Sequence, residues 1–462
     1  MRYLAFYSPS DPNLELTLKV VLAILAILAV SALCGRLALM IKQPRVLGEM
    51  VAGVLLGPTL LGLLFPGFQR SLFPADVKPI LYVLSTIGLT LYMFLVGAGL
   101  DHKKEANKSE DGAKGAGEVR QGRHAMLLAV SGMFPSLVLG AAAGLLWYSR
   151  LSSHDVSRME FAFFIGGALS LTAFPMLARI LYERGLENSP LGRLTLIAAS
   201  VDDAAGWCFL AILSAVHAGS GPMSALQSIL LAAVFTIVMI FGVARLLRPI
   251  GTQVARTKNL TLGQMYVVAL VALGAGWFTD RIGIYSVFGG FIAGLAMPRD
   301  AAFREALHGK MMDFVSVFLL PIFFAFSGLN TKLNGVAGVT MLLAFATLFT
   351  AGFLGKYVGC GLAMRAVGFS WRESWAVGGL MNARGLMILI FINIGLSQHI
   401  ISQEVFSILV LVAVVTTAAA VPLYRWALPP TVEARVAARV SGAASPLQGD
   451  QAERREMAAD AS

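Results

Sequence analysis

The chain has 462 residues, 57% of them hydrophobic and only 13% charged, with a net charge of +10 and a mean hydropathy of +0.74. Soluble domains carry about 25% charged residues, so a soluble globular protein is excluded. Lipid obliges every backbone group to be satisfied internally, and the apolar runs lack the short alternation of barrel strands; the composition therefore predicts an all-α polytopic membrane protein.

The segments, taken in order, number about thirteen. Their approximate bounds are 14–39, 45–66, 79–100, 125–148, 160–182, 190–217, 224–246, 262–279, 283–297, 311–328, 336–364, 374–397 and 405–426. The first follows Ser8-Pro9-Ser10-Asp11-Pro12 and reads as a retained helix rather than a cleaved signal peptide. Basic residues concentrate in alternate loops: Lys42 and Arg45, then six within 103–123, Arg184, Arg248 to Lys258, Arg299 to Lys310, and Arg365 with Arg372. That bias places these loops and the C-terminus in the cytoplasm and, with an odd helix count, the N-terminus outside, in a multi-pass protein of the cell membrane. It also accounts for the net charge without a nucleic-acid partner. Cys34, Cys208 and Cys360 lie in apolar segments, with neither a disulfide framework nor metal-ligand spacing.

Six helices, a linker helix and six more would put the two halves in opposite orientations, the inverted repeat of many secondary transporters. The fifth segment then pairs with the twelfth and the sixth with the thirteenth. Residues 101–123 read as a polar mobile connector, and Pro429 to Ser462 as a disordered tail. No strand-linked Gly-x-Gly-x-x-Gly occurs, so neither a nucleotide-binding domain nor a resident cofactor is expected.

Polar residues inside the apolar runs carry the chemistry. The fifth segment contains Ser170-Leu171-Thr172-Ala173-Phe174-Pro175. Pro175 removes a backbone donor, so this helix is expected to kink or open near Thr172; an ordinary proline kink is the alternative. The sixth holds Asp202 and Asp203 side by side. An acid at mid-membrane costs about 2.5–3.5 kcal/mol on insertion scales, and adjacent helical residues diverge by roughly 100°. One acid can therefore address a central cavity while the other reaches a neighbouring helix, and such a pair suits proton exchange. The eleventh segment contains Lys356, well before Arg365 at its end. Too deep to snorkel easily, it calls for a counter-charge, for which Asp202 or Asp203 is the natural candidate. The twelfth contains Gly379-Leu380-Met381-Asn382-Ala383-Arg384-Gly385. Asn382 and Arg384 there suggest a second interrupted helix, with Arg384 neutralising exposed carbonyls or excluding a competing cation. Glu49 and Asp313 sit near helix ends, and Gly53/Gly57 and Gly290/Gly294 have the spacing of helix packing.

Four motifs in order resemble the cation:proton antiporter superfamily, specifically its second family of Kef-type bacterial transporters and plant cation/proton exchangers. They are Arg45-Val46-Leu47-Gly48-Glu49 through Gly57-Pro58, Thr172-Ala173-Phe174-Pro175 through Arg179, Ser200-Val201-Asp202-Asp203, and Met381-Asn382-Ala383-Arg384-Gly385-Leu386. The resemblance covers roughly residues 15 to 426. It implies two crossing, partly unwound helices and a mobile core domain (about 125–217 and 336–426). Beside it would stand a dimerisation domain (about 14–100 and 262–328), the two joined by a linker helix at about 224–246. Together these make a transmembrane unit over 1–426, followed by a tail over 427–462. It implies that Asp203 carries both cation and proton. Asp202 matches a position acidic in the electrogenic branch, Lys356 falls where that branch has its lysine, and Thr172 falls in the first unwound segment. The Thr-Asp-Pro of many sodium/proton exchangers is Thr172-Ala173-Phe174-Pro175 here, which leaves Na+ against K+ open.

The function expected is antiport of Na+ or K+ against H+ by a homodimer in the bilayer. Asp203, with Asp202 and Thr172, would hold the cation, and Lys356, Arg384 and Asn382 would tune coupling. A cation channel or a transporter-derived sensor on the same fold is the alternative. An intramembrane aspartyl protease, which places its acids on separate helices, does not fit, so no enzyme is expected.

Overall fold

Several helix starts are written in the sequence as caps. Ser157, Ser189 and Ser402 each offer a hydroxyl oxygen to a backbone N–H of the first turn that follows, from Glu160, Gly192 and Val405. Thr261 with Gln264, and Ser370 with Glu373, form reciprocal capping boxes. Such oxygens satisfy donors that the helix itself cannot.

The structure is a computed structural model and describes residues 11–99, 114–152, 156–183, 186, 189–217, 221–283, 285–331 and 338–429. Every regular element among them is helical. First come α1 (Pro12–Met40), α2 (Arg45–Leu56), the short α3 (Leu61–Leu64) and α4 (Pro66–Leu72), α5 (Val77–Gly99) and α6 (Lys114–Leu151). A broken pair follows, α7 (Arg158–Ser170) and α8 (Phe174–Glu183), then α9 (Pro190–His217). Next, α10 (Gly221–Ile237) runs through a π turn into α11 (Ala244–Thr257), followed by α12 (Leu262–Arg281) and α13 (Ser286–Leu295). Helix α14 (Ala301–Phe314) passes through a second π turn into α15 (Leu320–Leu329), and then comes α16 (Val339–Val367). The second broken pair is α17 (Trp371–Leu380) and α18 (Gly385–Ser397), and α19 (Gln403–Ala427) completes the described chain.

Nine helices among the described residues are long and apolar enough to cross a membrane. The other four expected segments do not meet that measure: the two broken pairs, α9 with its acids, and the 10-residue α13. The half-helices have 13, 10, 10 and 13 residues, about 15–20 Å each at 1.5 Å per residue, against a core of about 30 Å. Only as pairs are they long enough.

Several helices outrun their apolar runs. The polar stretch expected as a loop is already helical from Lys114, and helices extend to Thr257 and back to Ala301. Charged residues in these extensions lower hydropathy without lowering helix propensity, so apolarity alone undercounts them. The remainder of the expected loop (101–113) and the tail from residue 430 lie outside the described residues.

Helices α6, α7, α9, α16, α17 and α19 pack as one group, and α1, α2, α5, α12, α13 and α15 as another. Small residues set the closest crossings. A Cβ at Gly53 would lie 2.1 Å from Phe324 O on α15, and one at Gly294 would lie 2.1 Å from Phe94 O on α5. Between α6 and α16 the contact is equally tight, since a Cβ at Gly359 would fall 1.9 Å from Ser131 O. Side chains also tie α18, the turn after it and α19 to the second group and its connections: Asn393 Nδ2 donates to Ser327 Oγ at 3.0 Å, Gln398 Nε2 to the Tyr285 hydroxyl at 2.8 Å, and Gln43 Nε2 to Ala418 O at 3.1 Å. Glu49 is buried and pairs with Arg45 at 3.1 Å.

Candidate ion site at the helix crossing

Pro175 is the second residue of α8, not a kink within a longer helix. In a first turn its missing N–H costs nothing, because that donor has no intrahelical acceptor anyway. The chain therefore leaves α7 after Ser170, turns extended at Leu171, stays non-helical through Thr172 and Ala173, and restarts. The second break, Met381 to Arg384, has no proline. There the restart uses Gly385 at φ +43°, a conformation that glycine adopts at no steric cost. The two open segments touch: Ala173 N–H donates to Ala383 O at 2.9 Å.

Broken helices expose carbonyls at one end and N–H groups at the other, each end carrying about half a charge. At the α7 carbonyl end the last two carbonyls, of Leu169 and Ser170, are both met by cations. Lys356 Nζ donates to Ser170 O, and the Arg384 guanidinium donates through Nη1 to Leu169 O and through Nη2 to Gly352 O, the latter at 2.6 Å. Gly352 makes room for this, since a Cβ there would stand 2.8 Å from Nη2. Arg384 therefore leaves the second break to cap the first. At the end of α17, Asn382 Nδ2 donates to Gly378 O at 3.0 Å. At the restart of α18, Thr417 Oγ1 accepts from the N–H groups of Gly385 (3.1 Å) and Arg384 (3.3 Å). Removing that acceptor in the near-isosteric Thr417→Val should cost about 1–2 kcal/mol, read as a lower midpoint in detergent thermal unfolding. An unchanged midpoint would refute the cap.

Helix α9 passes beside this crossing. Asp202 Oδ2 accepts from Lys356 Nζ at 3.0 Å and from Thr172 Oγ1 at 2.7 Å. The single hydroxyl proton goes to the carboxylate, leaving Met381 O, at 3.3 Å, a weaker second contact. The pair is sealed: Lys356 is 0% exposed and Asp202 1%. An ion pair taken out of water at such depth persists only when both members are also hydrogen-bonded, as these are.

Asp203 differs. It is 1% exposed, yet neither carboxylate oxygen has a hydrogen-bond partner. The backbone N–H of Phe174, at the positive end of α8, is directed toward it without reaching hydrogen-bond geometry. Asp202 Oδ1 and Asn382 Oδ1 are likewise buried and unbonded. The crossing is thus a cluster of hard, under-used oxygen atoms. A proton or a monovalent cation fits such donors. Among the described residues no group of three or more His, Cys, Asp and Glu side chains is placed to hold a metal ion.

All six residues singled out in the sequence (Thr172, Asp202, Asp203, Lys356, Asn382 and Arg384) are thus buried at or beside the crossing. The acids do diverge, one to α16 and one to the half-helix end. Three participants went unnoticed: Thr417, the only signal for which was Thr416-Thr417 in an apolar run; Gly352; and the carbonyls of Leu169 and Ser170, which no side-chain pattern announces.

Two helices broken at a shared crossing, with buried acids and cations arranged about the breaks, define a membrane protein of the inverted-repeat transporter class. The chain belongs to the sodium/hydrogen exchanger family: the family described as "Sodium/hydrogen exchanger, transmembrane" matches residues 24–427. It is 39% identical over 409 residues to the Na(+)/H(+) antiporter NhaS4 of Synechocystis sp., covering 88% of this chain and 97% of that one. It is 32% identical over 422 residues to Cation/H(+) antiporter 19 of Arabidopsis thaliana, covering 91% of this chain but only 50% of the plant protein. Its fold is similar to that of the sodium proton antiporter MjNhaP1 from Methanocaldococcus jannaschii, with a TM-score of 0.61 at 15% identity over 92% of this chain and 99% of that one.

Proposed function

We propose that this protein exchanges a monovalent cation, Na+ or K+, for protons, with Asp203 as the shared carrier. The family and the printed names of its relatives support exchange of a cation against H+. The observation that carries the site assignment is Asp203 itself, a buried carboxylate with both oxygens unbonded beside a half-helix N-terminus. Its neighbour Asp202, by contrast, is already committed to Lys356 and Thr172.

In this scheme Asp203 holds either a proton or a partly dehydrated cation, never both. Asp202 Oδ1, the Thr172 hydroxyl oxygen and Asn382 Oδ1 would complete the oxygen set around the cation. Loading cancels the Asp203 charge, and the helix group around α9 and α16 then shifts against the group around α5 and α13. With the carboxylate empty and charged, that shift is penalised by the low dielectric, which enforces exchange over leak. Arg384 holds the α7 end closed throughout, and Lys356, paired with Asp202, gives up a proton as the cation arrives, so that one proton leaves from Asp203 and a second from Lys356.

The loop charge bias supports a cell-membrane protein with its C-terminal side inside. A homodimer would form through the second helix group, with the first free to move. The test is a pH-dye assay in proteoliposomes with Na+, K+, Li+ and Rb+ added in turn, with and without an ionophore clamp. Cation-dependent proton flux is the expected result. Conductance without proton flux would indicate a channel on this fold and overturn the proposal.

A further inference from the structure

Helix α18 starts at the crossing, where the Gly385 N–H meets Thr417, and its 13 residues make a rod of about 20 Å. Toward its far end, one amide hydrogen of Asn393 goes to Leu389 O of the same helix at 2.8 Å, and the other crosses to Ser327 Oγ of α15 at 3.0 Å. Just beyond, Gln398 Nε2 donates to the Tyr285 hydroxyl at 2.8 Å, and Gln403, at the start of α19, donates to Asn330 O. The helices that meet here are anchored on opposite sides. A Cβ at Gly395 would lie 2.0 Å from the Phe164 ring of α7, and one at Gly328 would lie 2.0 Å from Gly53 O of α2. All three bonds sit at the end opposite the Lys- and Arg-rich loops, the outside in the proposed orientation. At the other end Gln43 donates to Ala418 O, a carbonyl that Pro422 deprives of its helical donor. That bond satisfies an orphaned acceptor, whereas Asn393 with Ser327 and Gln398 with Tyr285 join one side chain to another across the two helix groups.

We infer that these three bonds are a latch: they hold the outer end of the two helix groups together, and they part each time the loaded site turns to the outside. The chemistry suits a contact that must break. Every donor and acceptor in it is neutral, so parting strands no buried charge. Water entering from the outer end takes over each bond, and the net change is small because protein and water bonds are exchanged one for one. A purely apolar seal would instead expose its whole area to water, at a cost proportional to that area. The latch is also mechanically joined to the site. Helix α18 is unbroken from Gly385 to Ser397, so a shift at the crossing is carried along it to Asn393 and Gln398. Their partners stay behind on α15 and at the start of α13, which pack with α2 and α5.

The inference rests on the exchange reading above, and the experiment separates the two. In a Cys208→Ser background, which removes the exposed thiol, Ser327→Cys with Asn393→Cys places two thiols across the interface. Reduced, this protein should exchange cations for protons in the proteoliposome assay. Joined as a disulfide with copper phenanthroline, it should lose at least tenfold in flux and regain it on reduction with dithiothreitol. Undiminished flux with the disulfide in place would overturn the latch and leave the exchange reading intact. Should the thiols fail to join, or the reduced variant be inactive, Tyr285→Phe decides, since it keeps the ring and removes the hydroxyl acceptor. Ser327 is 2% exposed, so the thiol of Ser327→Cys meets N-ethylmaleimide only when the groups part. Tyr285→Phe should speed that labelling about fivefold in detergent, the scale of one neutral hydrogen bond, and an unchanged rate would overturn the latch. Absence of cation-driven proton flux from the wild-type protein would instead overturn the exchange reading.

Discussion

Asp203→Asn is expected to lower cation-driven proton flux to that of liposomes without protein. Asparagine keeps the shape and the oxygen acceptor of aspartate, but it neither binds a proton near neutral pH nor presents a charge to a cation. Asp203 makes no hydrogen bond that the substitution would break, and removing a buried, unpaired carboxylate relieves a desolvation cost. The variant should therefore fold at least as stably as wild type while losing exchange altogether. That combination distinguishes a carrier from a structural acid. Retained or raised melting temperature by detergent thermal unfolding, with no flux in the pH-dye assay, is the expected pattern. Wild-type flux from this variant would remove the basis of the assignment.

Lys356→Gln should have the opposite signature. Lys356 holds Asp202 at 3.0 Å and also caps Ser170 O, with no exposure to solvent. Breaking a buried pair from one side typically costs about 3–5 kcal/mol, because the surviving charge is stranded. A marked fall in thermal midpoint is therefore expected, and the double variant Asp202→Asn with Lys356→Gln should recover much of it, since no charge is then left unpaired. On the proposed scheme Lys356 surrenders a proton as the cation arrives at the neighbouring acids, so that two protons move per cation. Lys356→Gln removes that second proton. Residual exchange in the variant should consequently be insensitive to an imposed membrane potential, whereas wild-type exchange should respond to it. Equal voltage dependence of the two, measured with and without an ionophore clamp, would refute this role for Lys356.

Much of the molecule was legible before any coordinates. Hydropathy settled the class, since lipid admits so few backbone solutions that composition nearly dictates helices. Pro175, and Asn382 with Arg384 beside glycines, marked both interruptions. Misplaced charge was the most informative signal: Asp202, Asp203, Lys356 and Arg384 each stand out because burial of a charge is costly unless something compensates it. Where the reading fell short, it was for want of contrast. Charged helix extensions such as Ala301–Phe314 look like loops to a hydropathy scale. Thr417 carries no such contrast, because one threonine in an apolar helix usually bonds its own backbone, as Thr416 does to Val412 O.

What the sequence determined by itself is therefore the set of residues that cannot sit in lipid without partners. What only the tertiary structure decided is who the partners are. Arg384 and Asn382 are two residues apart, yet one crosses to carbonyls of α7 and α16 and the other stays on its own helix. Asp202 and Asp203 are adjacent and chemically identical, yet one is bonded to Lys356 and Thr172 while the other is bonded to nothing. The physical reason is the helical rotation of roughly 100° per residue. It sends neighbouring side chains into environments built by segments from 30 to 215 residues away, and no local pattern records which of those segments will arrive.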